Sequence, residues 1–238
     1  YDPGRAGANS QLGTNSTAAN AIQLSGNARL RGDAVAGPRS DVSTAISVTG
    51  SAVIEGRKRS AYRAKTLPAV TIPRGLPNRG HLVVNGTVRE FAQGTYLFSS
   101  ITVRNGGTLR FRGTSTVYVT GDVVVQSRGH MKPTNDRPTS LTVLVRGERL
   151  FRVEENGSAS RQARFFGALY GPDSEIRLQG RGEVFGSSVG KTGQLEDTAK
   201  VHFDEALRAS RRNGPLSSTT TLDPAEDTWR EIVPAPSG

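Results

Sequence analysis

The run Ile101-Thr102-Val103-Arg104-Asn105-Gly106-Gly107-Thr108-Leu109-Arg110-Phe111-Arg112, continued by Thr116-Val117-Tyr118-Val119-Thr120-Gly121-Asp122-Val123, decides the fold. Each apolar stretch is short and alternates with polar residues, the period-2 pattern of a strand with one buried face. The stretches are separated by Asn-Gly, Arg-Gly and Thr-Gly steps, where glycine turns the backbone at little cost. The same unit, an apolar residue, any residue, then Gly with a further apolar residue four positions on, recurs along the chain. It appears as Leu24-Ser25-Gly26 with Leu30, Val48-Thr49-Gly50 with Ile54, Val119-Thr120-Gly121 with Val125, Val145-Arg146-Gly147 with Phe151, and Leu178-Gln179-Gly180 with Val184. The offsets between copies are irregular, so the repeat is degenerate.

Two all-β architectures compete for this pattern. Asn85-Gly86, Asn105-Gly106 and Asn156-Gly157 suit hairpins, and hairpins would build a sandwich or barrel. Very short strands with a glycine-marked corner every few residues favour a single-chain β-solenoid (β-helix), whose stacked coils bury small apolar residues in a narrow cylinder. The expected fold is that solenoid, with irregular loops, a short C-terminal capping helix and extended terminal arms. The helix is read at Asp204–Arg211, acidic first and basic last, with Gly214-Pro215 as its stop.

Composition sets the limits on chemistry. The 238 residues hold no Cys and only three His (His81, His130 and His202), which removes thiolate sites and leaves little for acid–base or zinc work. No window approaches the roughly 18 apolar residues of a membrane span. The formal charge is +10, and 26 of the 31 basic residues are Arg. Such a balance favours anionic partners. Aromatics make up only 6% of the chain and do not interleave with the cations as stacking platforms would, so nucleic acid is not the expected partner.

Along the chain, residues 1–20 read as an extended arm rich in Gly, Ala, Asn and Ser. Residues 21–210 read as the solenoid body. Two stretches within it look like excursions between coils: 57–80, with Pro68, Pro73 and Pro77, and 128–140, with Pro133 and Pro138. Residues 211–238 read as a C-terminal arm whose sole tryptophan, Trp229, stands near Ile232 and Val233 as a candidate subunit contact.

Several motifs together carry a resemblance. Gly94-Thr95-Tyr96-Leu97-Phe98, Val117-Tyr118-Val119-Thr120-Gly121, Phe166-Gly167-Ala168-Leu169-Tyr170-Gly171-Pro172, Phe185-Gly186-Ser187-Ser188-Val189-Gly190-Lys191 and the closing Val201-His202-Phe203-Asp204-Glu205-Ala206-Leu207 lie within the block of residues 21–210. This block is similar to the C-terminal β-solenoid domain of PilX-like bacterial pilus-assembly and envelope proteins. A more distant, architectural likeness is to the bactofilins, solenoids that polymerise end to end. The resemblance implies a secreted or envelope structural role and no catalytic site. PilX-like chains usually begin with a hydrophobic anchoring helix, which this sequence does not display.

Catalytic, cofactor and metal sites are not expected. The acids Asp122, Asp173, Glu175, Glu183 and Glu205 form no dyad in the sequence, and no nucleophile elbow, Walker loop or HExxH occurs. The candidate anionic surface is Arg29, Arg31, Arg110 and Arg112, which alternation turns outward where Leu30, Leu109 and Phe111 turn inward. The expected function is a non-enzymatic structural subunit of a bacterial extracellular or cell-envelope assembly, self-associating head to tail with its arms on neighbours. Its partners are then other copies or pilus components. The alternative is a monomeric, pilus-associated, adhesin-like module that binds anionic glycan or a surface through its Arg-rich faces.

Overall fold

The computed structural model describes residues 10–157, 162–204 and 206–209. Parallel strands stack in register into a β-solenoid of about eight turns with very little helix. Each coil presents a short strand on each of three faces, the third strand of the sixth coil being supplied by the N-terminal segment Ser10–Gly13. On the first face the stack runs His81–Asn85, Ser100–Arg104, Val123–Gln126, Leu150–Glu155, residues 175–180, residues 192–195, Ile22–Leu24 and Ile46–Val48. The second face runs Val88–Phe91, Thr108–Phe111, His130–Pro133, residues 164–166, residues 183–186, Lys200–Phe203, Arg29–Leu30 and Val53–Ile54. The third face stacks Thr95–Phe98, Ser115–Val119, Leu141–Val145, residues 168–170 and residues 187–189, then restarts as Ser10–Gly13, Gly32–Ala36 and Lys58–Ser60.

Spatial order therefore departs from chain order. Numbered from one end, coils 1 to 6 cover residues 78–203 in sequence, except that Ser10–Gly13 forms the third face of coil 6, whereas coils 7 and 8 come from residues 22–60 and stack beyond it. The helix Ala206–Ala209 lies against a 3-10 turn at Pro138–Ser140, and coil 6 is covered by the N-terminal coil instead. Residues 1–20, expected as an arm, hold the strand Ser10–Gly13, which completes coil 6 on the third face and pairs with Gly32–Ala36 of coil 7. The stretch 128–140, expected as an excursion, contains the strand His130–Pro133 with Met131 fully buried. Pro133 is tolerated there because the ladder to the next coil stops at Met131–Phe165, so no N–H is missed on that side.

One corner accounts for three of the five glycine-repeat copies, Gly26, Gly50 and Gly180, while Gly121 and Gly147 lie where the third face turns into the first. Where the first face turns into the second, successive coils place a left-handed residue: Gly86, Asn105, Arg128, Gly180, Asp197, Gly26 and Gly50, with φ between 53° and 69°. Glycine adopts that region freely and Asn or Asp tolerates it, so the corner recurs while its residue changes. Just beyond it, a Cβ on Gly129 or Gly182 would stand 2.5 or 2.4 Å from a carbonyl of the preceding coil, so these positions accept no side chain.

The interior is one continuous apolar column. Phe91, Tyr96, Phe98 and Phe111 pack edge-on and stacked in coils 1 and 2, and Phe151 meets Phe165 at 5.0 Å in the middle. Small residues such as Ala28, Ala34, Ala36 and Ala45 fill coils 7 and 8.

The expected excursion near 57–80 is a strap that runs the height of the molecule. From Lys58–Ser60 in the last coil it descends along the third face to Asn78, which bridges to Leu97 near coil 1. Leu144 and Tyr170 point outward by alternation yet are buried, because Leu67 and Val70 of the strap lie on them. Tyr170 Oη donates to the Pro68 carbonyl at 2.6 Å. Asn15, just after the strand Ser10–Gly13, pins the strap, its side-chain amide donating to the Lys65 carbonyl at 2.5 Å while its Oδ1 accepts from Lys65 N–H at 2.8 Å.

Candidate functional site

The four arginines singled out by alternation all lie on the second face. Leu30, Leu109 and Phe111 are fully buried beneath them. Arg29 and Arg31 flank Glu55 of the next coil at 3.3 and 3.9 Å, and Arg112 pairs with Glu90 of coil 1. The two pairs are five coils apart, about 24 Å at the usual strand spacing. Register supplies what the sequence did not show. One outward row reads Thr108, His130, Arg164, Glu183, Lys200, Arg29, and the row beside it carries Arg110, Lys132, Phe166, Phe185 and His202. Lys132, Arg164 and Lys200 thus join the predicted arginines in one basic band. The band is divided by carboxylates at Glu90, Glu183 and Glu55, and Lys132 is also held by Asp136 at 2.7 Å.

Glu183 is the buried hub of this face. Burial alone would raise its carboxyl pKa, but the hydrogen bond from His202 and the charges of Arg164, His202 and Lys200 outweigh it and hold the group below its ordinary value. Arg164 Nε donates to Glu183 at 3.0 Å, and Lys200 Nζ stands 3.8 Å away. Beside it Phe166, Phe185 and His202 stack at 4.4 Å centroid spacings with planes within 11° of parallel. An ionised, triply paired carboxylate is a clamp across coils 4 to 6, not a proton donor.

The other acids do not converge. Asp122 and Glu175 share an outward row on the first face but are separated by Leu150, about two strand spacings or 10 Å. Asp122 accepts from Leu150 N–H at 3.0 Å, and Glu175 is bound to Arg177. No cluster of metal-ligating side chains occurs among the described residues. Trp229, Ile232 and Val233, Glu205 and the expected arm 211–238 lie outside the described residues.

The two ends are the remaining surfaces with functional character. The exposed large apolar residues are Val83 (56%), Val88 (61%), Val53 (41%) and Tyr62 (74%). Val83 and Val88 belong to coil 1, Val53 to coil 8, and Tyr62 to the segment just after it. Among the described residues no strand pairs with the outer edges of His81–Asn85 and Val88–Phe91, nor with those of Ile46–Val48, Val53–Ile54 and Lys58–Ser60. At coil 1 two guanidinium groups cover the aromatic end of the core: Arg79 lies 5.0 Å from the Tyr96 ring centroid and Arg89 5.6 Å from that of Phe91.

Comparisons with known proteins follow this architecture. Residues 82–210, the sequential coils, match the family described as domain of unknown function DUF7305. A solved structure of an ice-binding protein from an Antarctic biological consortium is similar in fold, with a TM-score of 0.51 at 12% identity, over 80% of this chain and 85% of that one. At that identity the likeness concerns the fold alone. No curated protein matches the chain.

Proposed function

The chain belongs to the DUF7305 family, and from that premise we propose that it is a non-enzymatic structural subunit of a bacterial extracellular or cell-envelope assembly, joining other copies head to tail through its end coils. The observation that carries this reading is the coincidence, at both ends, of open ladder edges with the large apolar residues exposed among the described residues. An unpaired strand edge is a template for another strand, and a head-to-tail contact without a closing rotation grows into a filament. The resemblance to PilX-like envelope proteins supports the setting.

Charge works against this contact and makes it testable. Arg79 and Arg89 stand at the coil 1 end, while Lys58 and Arg59 belong to the last strand at the other, so stacked ends bring like charges together. Each backbone hydrogen bond formed contributes about 0.5–1.5 kcal/mol, whereas exposed charges are screened beyond about 8 Å at physiological salt. The ladder wins once salt screens the ends. Negative-stain electron microscopy and sizing at low and high salt test this. Fibres that persist at high salt are expected; small monodisperse particles at every salt concentration overturn the reading.

That second outcome favours the monomeric binding module, for which the observation is the basic band of Arg110, Lys132, Arg164, Lys200, Arg29 and Arg31. Its binding of an anionic glycan would weaken as salt rises. Ice binding, named for the structural neighbour, finds less support in this chain. A periodic neutral lattice asks for a periodic neutral face, and the first face alternates Arg152, Glu154, Glu175, Arg177 and Glu196. The row Thr95, Thr116, Thr142 on the third face is regular, but the strap occupies the row beside it.

A further inference from the structure

The coil 1 end differs from the coil 8 end in how its charge is met. At coil 8, Glu55 sits between Arg29 and Arg31, and Asp33 holds Arg59 at 3.0 Å. At coil 1, Arg79 and Arg89 are exposed and lie over aromatic rings, with no carboxylate paired to either among the described residues. The same end offers two exposed valines, Val83 and Val88, and two unpaired strand edges. A ligand for it would combine acids with apolar anchors on an extended backbone.

The chain itself contains such a ligand. Leu222-Asp223-Pro224-Ala225-Glu226-Asp227-Thr228-Trp229-Arg230-Glu231-Ile232-Val233 carries four acids against one Arg in an otherwise basic protein, together with Trp229, Ile232 and Val233. We propose that coil 1 is the docking site for residues 222–233 of a neighbouring copy, Arg79 and Arg89 meeting the acids while Val83 and Val88 receive the apolar side chains. The inference rests on the self-association reading above and supplies its missing attraction: an acidic segment between two basic ends removes the repulsion that bare stacking would meet. Guanidinium–carboxylate hydrogen bonds are directional and stronger than neutral ones, and tryptophan is enriched among interface anchors. Reach is sufficient. The last described helix lies beside the 3-10 turn Pro138–Ser140, and the 12 residues 210–221 span up to about 40 Å when extended.

Trp229 is the sole tryptophan, so the full-length chain reports its own docking. Acrylamide quenching and emission maximum are followed against protein concentration for the wild type, for the double variant Arg79→Glu/Arg89→Glu, for Lys58→Glu at the other end, and for Arg79→Glu/Arg89→Glu combined with Asp223→Arg/Glu226→Arg/Asp227→Arg. The wild type should show protection that grows with concentration. The coil 1 double variant should lose it, with a several-fold rise in quenching and a red shift. Lys58→Glu should keep it and the charge swap should restore it, which also separates lost docking from lost folding. A tryptophan exposed at all concentrations in assembled wild-type chain, or protection indifferent to Arg79→Glu/Arg89→Glu, overturns the inference while leaving self-association standing. Protection independent of concentration in a chain that stays monomeric overturns both, since the segment then caps its own coil 1.

Discussion

Coils 1 to 6 and coils 7 to 8 are built from the same kind of strand but held in different ways. Coils 1 to 5 share ladders on all three faces, as between coils 2 and 3, where Ser100–Arg104, Thr108–Phe111 and Ser115–Val119 each find a partner. Where residues 10–60 join residues 78–203, residues 193–195 pair with Ile22–Leu24, Lys200 alone pairs with Arg29, and on the third face residues 187–189 and Ser10–Gly13 share no ladder. There the strands splay, touching through Thr14 Oγ1, which donates to the Lys191 carbonyl at 2.6 Å. The gap leaves a cavity of about 140 Å³ lined by Leu12, Leu30, Ala168, Val189, Val201 and Phe203 among others. The chain leaves coil 6 after Phe203 for the helix Ala206–Ala209, and Ser10–Gly13 takes the third face of that coil instead, so no ladder crosses this face between the two parts. The strap restores part of what the ladder lacks. The family match covers residues 82–210, the coils of the first group.

The largest effect that would test this division is a cavity in each half. Phe165→Ala in coil 4 removes a fully buried ring packed on Phe151 and should cost about 3–5 kcal/mol. It should lower the denaturation midpoint of the whole molecule. Leu30→Ala in coil 7 borders the existing cavity, so fewer contacts are lost, and the cost should sit near the lower limit of about 2 kcal/mol. Hydrogen exchange should show the second change confined to residues 10–60. Equal loss of protection in both halves for Leu30→Ala would mean the eight coils open as one unit and would break the comparison.

Next in size is the strap. Val70→Asp places a carboxylate on Leu144 and Tyr170, and burying a charge without a partner is costly enough that the strap should lift instead. Coils 7 and 8 then keep only the thin joint ladder. The expected outcome is faster exchange and proteolysis within residues 10–80, with Ser100–Val145 protected as in the wild type. Unchanged protection in residues 10–60 would show that the joint needs no strap.

How much of this could be read from the sequence follows the same division. Alternation in Thr116-Val117-Tyr118-Val119 was enough to place Val117 and Val119 inside, and the inward Leu109 and Phe111 turned Arg110 and Arg112 out. The glycine rhythm exposed a coil corner, although Asn105, Arg128 and Asp197 stand in for glycine there and blur the period. Strand His130–Pro133 stayed hidden because two prolines signal a loop more strongly than one buried Met131 signals a strand. The stacking of Ile22–Leu24 on residues 193–195 was invisible, since pairing across about 170 positions leaves no local pattern. For the same reason Lys132, Arg164 and Lys200 joined the basic band only once register was known. Leu67 and Val70 carried a weak signal, two apolar residues in a proline-rich stretch that needed something to cover.

The smallest effect concerns a single hydroxyl. Burial pushes the Tyr170 phenol up to about 12, with the nearby Asp173 charge adding to the shift. Its neutral form is the one the fold prefers, since Oη donates to the Pro68 carbonyl and a phenolate has no proton to give. A group whose folded pKa is raised contributes its full stability below the unfolded value near 10 and loses it as pH climbs toward the folded one. Two pKa units set an upper limit of about 2.7 kcal/mol on that loss. The loss belongs to the strap contact, so residues 10–60 should lose hydrogen-exchange protection between about pH 10 and 12 before coils 1 to 6 do. Tyr170→Phe gives up one hydrogen bond, about 1 kcal/mol at neutral pH, and with it the alkaline sensitivity. Its stability should therefore be slightly lower than wild type at pH 8 and flatter above pH 10. If the variant instead loses the N-terminal coils over the same alkaline window as the wild type, some other group holds the strap and the division between the two halves rests on the joint alone.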